Sequence, residues 1–314
     1  MRHLRYLLSR LGQIVPVAFF IILVNFFLLR LAPGDLADVM AGEAGAATPE
    51  FMAALRQQFG TDQPVWQQLL HYYQKVLTFD LGYSFRNGSE VTELIRSRLP
   101  ATILLVGSSL AVAAIVGVSV GWFAAVTRRR WAGRLAQFAT TVGFATPLFW
   151  VGLMLIVLFS IELKWLPTGG IYDLDADYEG WTYALDVVRH MVMPVLTLSI
   201  FFIAIYSRLT QVAVLQVLQM DYVRTARAKG LPPGRISRMH VLRNALLPVL
   251  TVTGMQIGAL IGGSVVVETV FSWPGMGRLA FDAVMQRDLN LLLGILFCTS
   301  LLVITANLVT DFLY

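Results

Sequence analysis

Apolar residues in this 314-residue chain are gathered into six long runs, and that pattern rules out most folds. The runs are Leu11–Leu31, Thr102–Thr127, Leu135–Ile161, Met191–Leu209, Leu246–Val270 and Asn290–Leu313. Each is near the roughly 20 residues a helix needs to cross the hydrocarbon core of a bilayer. Hydrocarbon offers no hydrogen bonds, so such runs must satisfy their backbone internally, as helices. Hydrophobic residues make up 57% of the chain and charged residues 14%, against about 45–50% and 25% in a soluble domain. The expected fold class is an all-α membrane protein with six transmembrane helices. Arg208 interrupts the fourth run, and its helix is expected to continue out of the bilayer.

The charges between the runs set the orientation, because loops rich in Lys and Arg stay cytoplasmic. Arg2, Arg5 and Arg10 precede the first run, which exceeds the about 7–15 apolar residues of a cleavable signal and is read as a retained span. Arg128, Arg129, Arg130 and Arg134, and then the segment Arg208–Arg243, are the other basic stretches. These place both termini inside. Ala32–Arg98 has an acidic excess, and Glu162–Arg189 holds Asp173, Asp175, Asp177, Glu179 and Asp186, so both belong outside. Ser272–Leu289 carries both signs and says nothing. The net charge of +5 follows from orientation and does not point to nucleic acid. Cys298 stands alone in the last run, which excludes a disulfide framework or a cysteine metal site built from this chain.

The first outer loop has its own helical signals. Thr48 can cap a helix that has Pro49 in its first turn and Gly60 at its end. From Pro64, the residues Trp66, Leu69, Leu70, Tyr73, Val76 and Leu77 fall at helical spacing, a face expected to pack on neighbouring helices or to rest among lipid headgroups.

Within the spans, Gly254, Gly258 and Gly262 recur every fourth residue, as do Gly117 and Gly121, a spacing that lets helix backbones approach closely. Pro147 should kink the third span. Glu268 lies near the outer end of the fifth span, where a carboxylate is a candidate for function or for a helix-end contact. No Gly-x-x-x-x-Gly-Lys-Ser/Thr stretch occurs, so the chain lacks a phosphate cradle, and no His-Glu-x-x-His pair occurs. His3, His71, His190 and His240 are scattered and are expected at surface or interfacial positions. An intramembrane hydrolase using Ser108 or Ser109 would lack a histidine base within a span. Catalytic and metal residues are therefore expected to be absent.

The segment between the fourth and fifth spans carries the most specific signal. Asp221-Tyr222-Val223-Arg224-Thr225-Ala226-Arg227-Ala228-Lys229-Gly230 reads as a helix ended by Gly230, with Arg227 and Lys229 in the last turn. Pro232 and Pro233 forbid its continuation, and a second helical stretch can start near Gly234. Ala226 and Ala228 leave a low profile that another protein's groove could receive.

This run, together with Arg243-Asn244-Ala245-Leu246-Leu247-Pro248, resembles the EAA motif of bacterial ABC importer permeases in the dipeptide, oligopeptide and nickel branch. Arg224, Thr225 and Ala226 occupy the Glu-Ala-Ala places and Gly230 the glycine place. The Arg-Thr departure, and the longer interval to Leu247-Pro248, are themselves similar to the peptide branch. Arg30-Leu31-Ala32-Pro33-Gly34-Asp35, Phe79-Asp80-Leu81-Gly82-Tyr83-Ser84, Phe271-Ser272-Trp273-Pro274-Gly275-Met276-Gly277 and Ala306-Asn307-Leu308-Val309-Thr310-Asp311 resemble the same branch, most like its B-type subunit. The resemblance implies the type I ABC importer transmembrane domain, with residues 1–100 forming the first helix and a partly helical periplasmic loop. Residues 101–314 would form the core, with a cytoplasmic coupling segment at 215–245. Asp221, Tyr222, Arg224–Gly230, Arg235 and Arg243 would then meet the ATPase, and Gly117, Gly121, Pro147, Gly254, Gly258, Gly262 and Glu268 would shape helix packing and the path.

The implied partners are a second homologous permease in a heterodimer, two ATP-binding subunits holding ATP and Mg, a periplasmic substrate-binding protein and the inner-membrane bilayer. No cofactor is expected on this chain. Di- or oligopeptides lead as cargo, with nickel, glutathione or another small solute as alternatives, and an ATP-independent secondary transporter or channel as the more distant rival. Tyr314 stands at the edge of the last span, where a short polar tail is expected to follow.

Overall fold

A computed structural model of the chain describes residues 2–31, 63–127, 130–173 and 178–313. Its elements are α1 (Arg2–Leu31), α2 (Val65–Leu77), β1 (Tyr83–Ser84), β2 (Ser89–Glu90), α3 (Val91–Val126), α4 (Arg130–Ala145), α5 (Leu148–Leu155), α6 (Trp181–Val217), α7 (Asp221–Ala228), α8 (Pro233–Arg235), α9 (Arg243–Val270), α10 (Met276–Gln286) and α11 (Leu289–Leu313). A wider, π-helical stretch, Ile156–Glu162, extends α5, and another, Ile236–Leu242, joins α8 to α9. The helical class expected from the apolar runs is the one adopted. The helix expected at Thr48–Gly60, and the stretch from Ala32 to Asp35, lie outside the described residues.

Among the described residues, α3, α6 and Leu289–Thr310 of α11 are each long and apolar enough to cross a membrane unbroken. Two bent pairs pass the same test when each is taken together, Gly133–Ala145 with Leu148–Glu162 at 103°, and Pro233–Gly254 with Gln256–Val270 at 54°. Val15–Leu28 of α1 is a shorter apolar helix. The fourth run behaves as expected: α6 carries Arg208 in mid-helix and continues past it to Val217.

Pro147, expected to kink the third span, breaks it outright. Its ring cannot sit inside a continuing turn, so it takes an extended conformation, φ −60° and ψ 132°, as the residue preceding α5. The Thr146 hydroxyl donates back to the Val142 carbonyl at 2.7 Å, closing the end of α4.

The chain divides into two compact units, Met1–Ser97 with Asp282–Ile304, and Arg98–Phe281 with Thr305–Tyr314. The last apolar run has residues in both units. In the first unit, Ile22, Val76 and Phe297 form a core joined by Tyr72 and Tyr73. Tyr73 stacks on Phe19 with ring centroids 4.9 Å apart and donates its hydroxyl to the Phe19 carbonyl at 2.5 Å. The apolar stripe of α2 therefore does pack on a neighbouring helix, but only in part: Val76 is 3% exposed, whereas Trp66 and Leu77 remain 65% and 71% exposed. Burial pushes the Tyr72 phenol up to about 12, so it stays neutral.

Asp288, in the segment whose charges said nothing, caps α11 by accepting the Leu291 N–H at 3.1 Å. Its other oxygen accepts the hydroxyl of buried Ser84, and Asn290 donates to the Tyr83 carbonyl at 3.3 Å. The hairpin is thereby fastened to the start of α11.

In the second unit, α6 packs against α4 and α9. Gly117 and Gly121 of α3 form the seam their spacing suggests. A Cβ on Gly117 would lie 2.7 Å from the Tyr206 Cβ, and one on Gly121 would fall onto the Ser207 carbonyl oxygen. Their partner is α6 of the same chain.

Candidate functional site

The segment singled out by sequence folds as two short helical pieces around a tight turn. Val223 and Ala226, three residues apart on one face of α7, point inward at 0% and 6% exposed. They join Ala213 and Val214 of α6, Ile236 and Val241 of the π-helical stretch, and Ala245 of α9 in one buried cluster. Ala226 is therefore not part of a low outer profile, because the helical period carries it to the core face; Ala228 remains outside. Asp221, Tyr222, Arg224, Thr225, Arg227, Ala228, Lys229 and Gly230 are exposed, as are Arg235 and Arg243. The Arg224–Asp221 pair at 3.6 Å is solvated on both sides and contributes at most about 1 kcal/mol.

The turn depends on Gly230. The Leu231 N–H reaches the Ala226 carbonyl at 3.3 Å, and the Gly230 N–H reaches the Arg227 carbonyl at 3.0 Å. This paired closure of a helix end requires a left-handed residue at its hinge, and Gly230 has φ +73°. A Cβ there would meet nothing within 4 Å, so conformation and not space selects glycine. Leu231 then tucks against the same buried cluster.

Side-chain hydrogen bonds fasten the segment to the spanning helices. Asn244, at the start of α9, donates to the Tyr222 hydroxyl at 2.9 Å and to the His240 carbonyl at 2.8 Å. Trp122, near the end of α3, donates its indole N–H to Ser237 Oγ at 3.1 Å and packs on the buried cluster. The inner face is thus tied to α3, α6 and α9, and the outer face is cationic and open. Sequence reasoning places Tyr222 and Asn244 in two stretches of one motif but misses their contact, and it misses Trp122, which reads as one more apolar residue of the second run.

A second cluster surrounds Glu268, whose side chain is 0% exposed. Its Oε1 accepts the Thr102 hydroxyl at 2.8 Å, and its Oε2 accepts the Arg278 N–H at 2.9 Å. Thr102 also accepts the Met276 N–H at 2.7 Å. Glu268 and Thr102 together satisfy backbone donors in the first turn of α10, which an isolated helix start leaves unpaired. A Cβ on Gly275 would fall on the carboxylate, and one on Gly277 would lie 2.7 Å from Val265 Cα. Trp273, 0% exposed, donates to the Ala101 carbonyl at 2.9 Å. The run Phe271–Gly277 thus has a physical role: its two glycines admit a carboxylate to the base of a helix. Thr102 carries no distinguishing signal in sequence.

The other residues singled out are more dispersed. Gly254 is tightly packed, and a Cβ there would lie 2.6 Å from Thr310 Cγ2, whereas Gly262 has nothing within 4 Å. Within this chain the stripe expected through Gly254, Gly258 and Gly262 thus meets a neighbour at Gly254 and none within 4 Å at Gly262. A 54° bend lies beside Gly254. Gly121→Ala is accordingly expected to cost about 1–3 kcal/mol and Gly262→Ala to stay within about 0.5 kcal/mol, as read by thermal denaturation of the purified protein. His190, expected at a surface or interfacial position, is 7% exposed, with Nδ1 2.9 Å from the Asp186 carbonyl oxygen. Asp186 in turn accepts the Asp173 N–H at 2.8 Å, holding the preceding loop to α6. Ser108 returns its hydroxyl to the Leu104 carbonyl at 2.6 Å, a backbone contact within its own helix.

The pattern of the family described as the inner membrane component of binding-protein-dependent transport systems matches residues 117–314, and that of its N-terminal part matches residues 3–106. The chain belongs to this family. The chain is 38% identical to the di/tripeptide transport system permease protein DppB of Pseudomonas aeruginosa, over 99% of this chain and 96% of the relative. The glutathione transport system permease protein GsiC of Escherichia coli is 40% identical, with the same shares covered. Among solved structures, the methionine ABC transporter MetNI in an inward-facing conformation superimposes with a TM-score of 0.57 at 16% identity, covering 70% of this chain and 94% of that one. An amino acid ABC transporter crystallised with histidines gives 0.54 at 16%, covering 71% and 93%. The fold is that of an ABC importer's membrane subunit. This permease is accordingly a transport subunit of the inner membrane and not an enzyme, and it works with ATPase and binding-protein partners.

Proposed function

We propose that this permease forms half of a translocation path for di- or oligopeptides, delivered by a periplasmic binding protein and driven by ATPase closure against Asp221–Asn244. One observation carries the coupling reading: the segment is open and cationic outward while its inner face is tied to α3, α6 and α9. A push on such an element shifts three spanning helices together, the kind of bistable rearrangement that alternating access needs. A second, related permease supplies the other half. Two ATP-binding subunits hold ATP and Mg, and both termini lie in the cytoplasm.

Peptide cargo rests on kinship with the di/tripeptide permease, and kinship with the glutathione permease makes glutathione the second candidate. Cysteine cross-linking tests the coupling. In a Cys298→Ser background, Arg224→Cys is expected to cross-link to the ATP-binding subunit, with a yield that changes when ATP is added, while Val223→Cys, fully buried, is not. Labelling of Arg224→Cys by an impermeant thiol reagent in intact cells would place the segment outside and overturn the reading. Uptake of a radiolabelled dipeptide, competed with unlabelled glutathione, separates the two cargoes.

A further inference from the structure

We propose that the cavity beside Arg208 binds the carboxylate end of the transported substrate, an inference that rests on the peptide-importer reading and names a subsite for it. The cavity lies between α4 and α6, has a volume of about 430 Å³ and is lined by Thr140, Thr141 and Phe144 from one helix and Ser207, Arg208 and Gln211 from the other. That size falls within the about 300–1,000 Å³ common to small-molecule sites.

Arg208 stands in α6 beside Ser207, Thr210 and Gln211, nine residues before Val217, or roughly 13 Å of helix rise from the end that leads to α7. It is exposed to the cavity and makes no hydrogen bond or ion pair with the described residues. A guanidinium that faces a cavity without an ion pair calls for an anionic partner. Its planar fork of donors matches a carboxylate in two parallel hydrogen bonds. Around it, Phe144 offers an apolar wall for a side chain, while Ser207 and the Gln211 amide offer partners for peptide N–H and C=O groups. A lipid phosphate could also meet the guanidinium, but the walls on two helices and the amide-matching groups favour a compact, peptide-like anion.

The test is equilibrium binding to the purified transporter complex, without its binding protein, in nanodiscs of neutral lipid. The probes are the dipeptide Leu-Leu and its C-terminal amide. The acid is expected to bind at least about tenfold more tightly than the amide, as a charge-assisted hydrogen bond implies. Arg208→Gln should erase that preference, and Arg208→Lys should restore part of it. Equal binding of acid and amide, or a preference that survives Arg208→Gln, overturns the proposal. Loss of acid binding once anionic lipid is added gives the site to a headgroup instead, and also overturns it. Failure of whole cells to take up any peptide would count against the cargo assignment, and loss of the acid-over-amide preference against the Arg208 site, so the two failures are told apart.

Discussion

Gly230→Val is expected to lower substrate uptake at least about tenfold while the protein still inserts and assembles and its partners continue to hydrolyse ATP. The reasoning is local. At φ +73° a residue with a Cβ is strained by about 1–2 kcal/mol, and branching at that carbon raises the strain. Nothing lies within 4 Å of the absent side chain, so the substitution does not disturb packing; it alters only the angle at which α7 leaves its turn. A change of about 1.4 kcal/mol in the balance of two states is already tenfold. Gly230→Asn is the discriminating control, because asparagine tolerates the left-handed region far better than valine, and its uptake should stay within about threefold of the parent. Transport and ATP hydrolysis measured on the same preparations decide it. Equal loss in both variants would mean that bulk, and not backbone conformation, is what the partner rejects.

Why Gly230 was legible and its surroundings were not comes down to range. Gly230, the two prolines after it and the terminal cations are local instructions written within one turn of helix, and the chain obeys them. The apolar runs are equally local, and five of the six meet the length-and-composition test for a crossing, whole or as bent pairs. What stayed hidden depends on contacts between distant residues. Trp122 meets Ser237 and Tyr222 meets Asn244 only after four helices have packed. Ala226 was placed outside because alanine is small, yet one residue of helical phase decides between core and surface. The neighbour of Gly254 in the α9 stripe is Thr310, from the far end of the chain. His190 is buried because the Asp186 carbonyl one turn earlier meets its ring nitrogen, a contact that scattered histidines in a sequence do not announce.

Glu268 shows the same limit, and it yields a prediction of comparable size. Replacing it with alanine leaves the Thr102 hydroxyl and the Arg278 N–H without their acceptor in a buried site, at about 1–3 kcal/mol for each orphaned group. Glu268→Gln keeps one acceptor oxygen but turns an NH₂ toward a donor, so its cost should be intermediate. Gly275→Ala should also destabilise, because the new Cβ occupies the carboxylate's place. Removing the carboxylate removes that clash, so Glu268→Ala with Gly275→Ala should cost less than the two single changes added together, by about 0.5–3 kcal/mol of coupling. Thermal unfolding of the four proteins of this cycle, in one detergent and at one concentration, measures the difference. Strict additivity would mean that Glu268 and Gly275 do not meet, and the account of Phe271–Gly277 as a seat for a helix-capping carboxylate would fail. Loss of transport by Glu268→Gln at near-parental stability would instead show that the carboxylate's charge, beyond its role under α10, takes part in switching access.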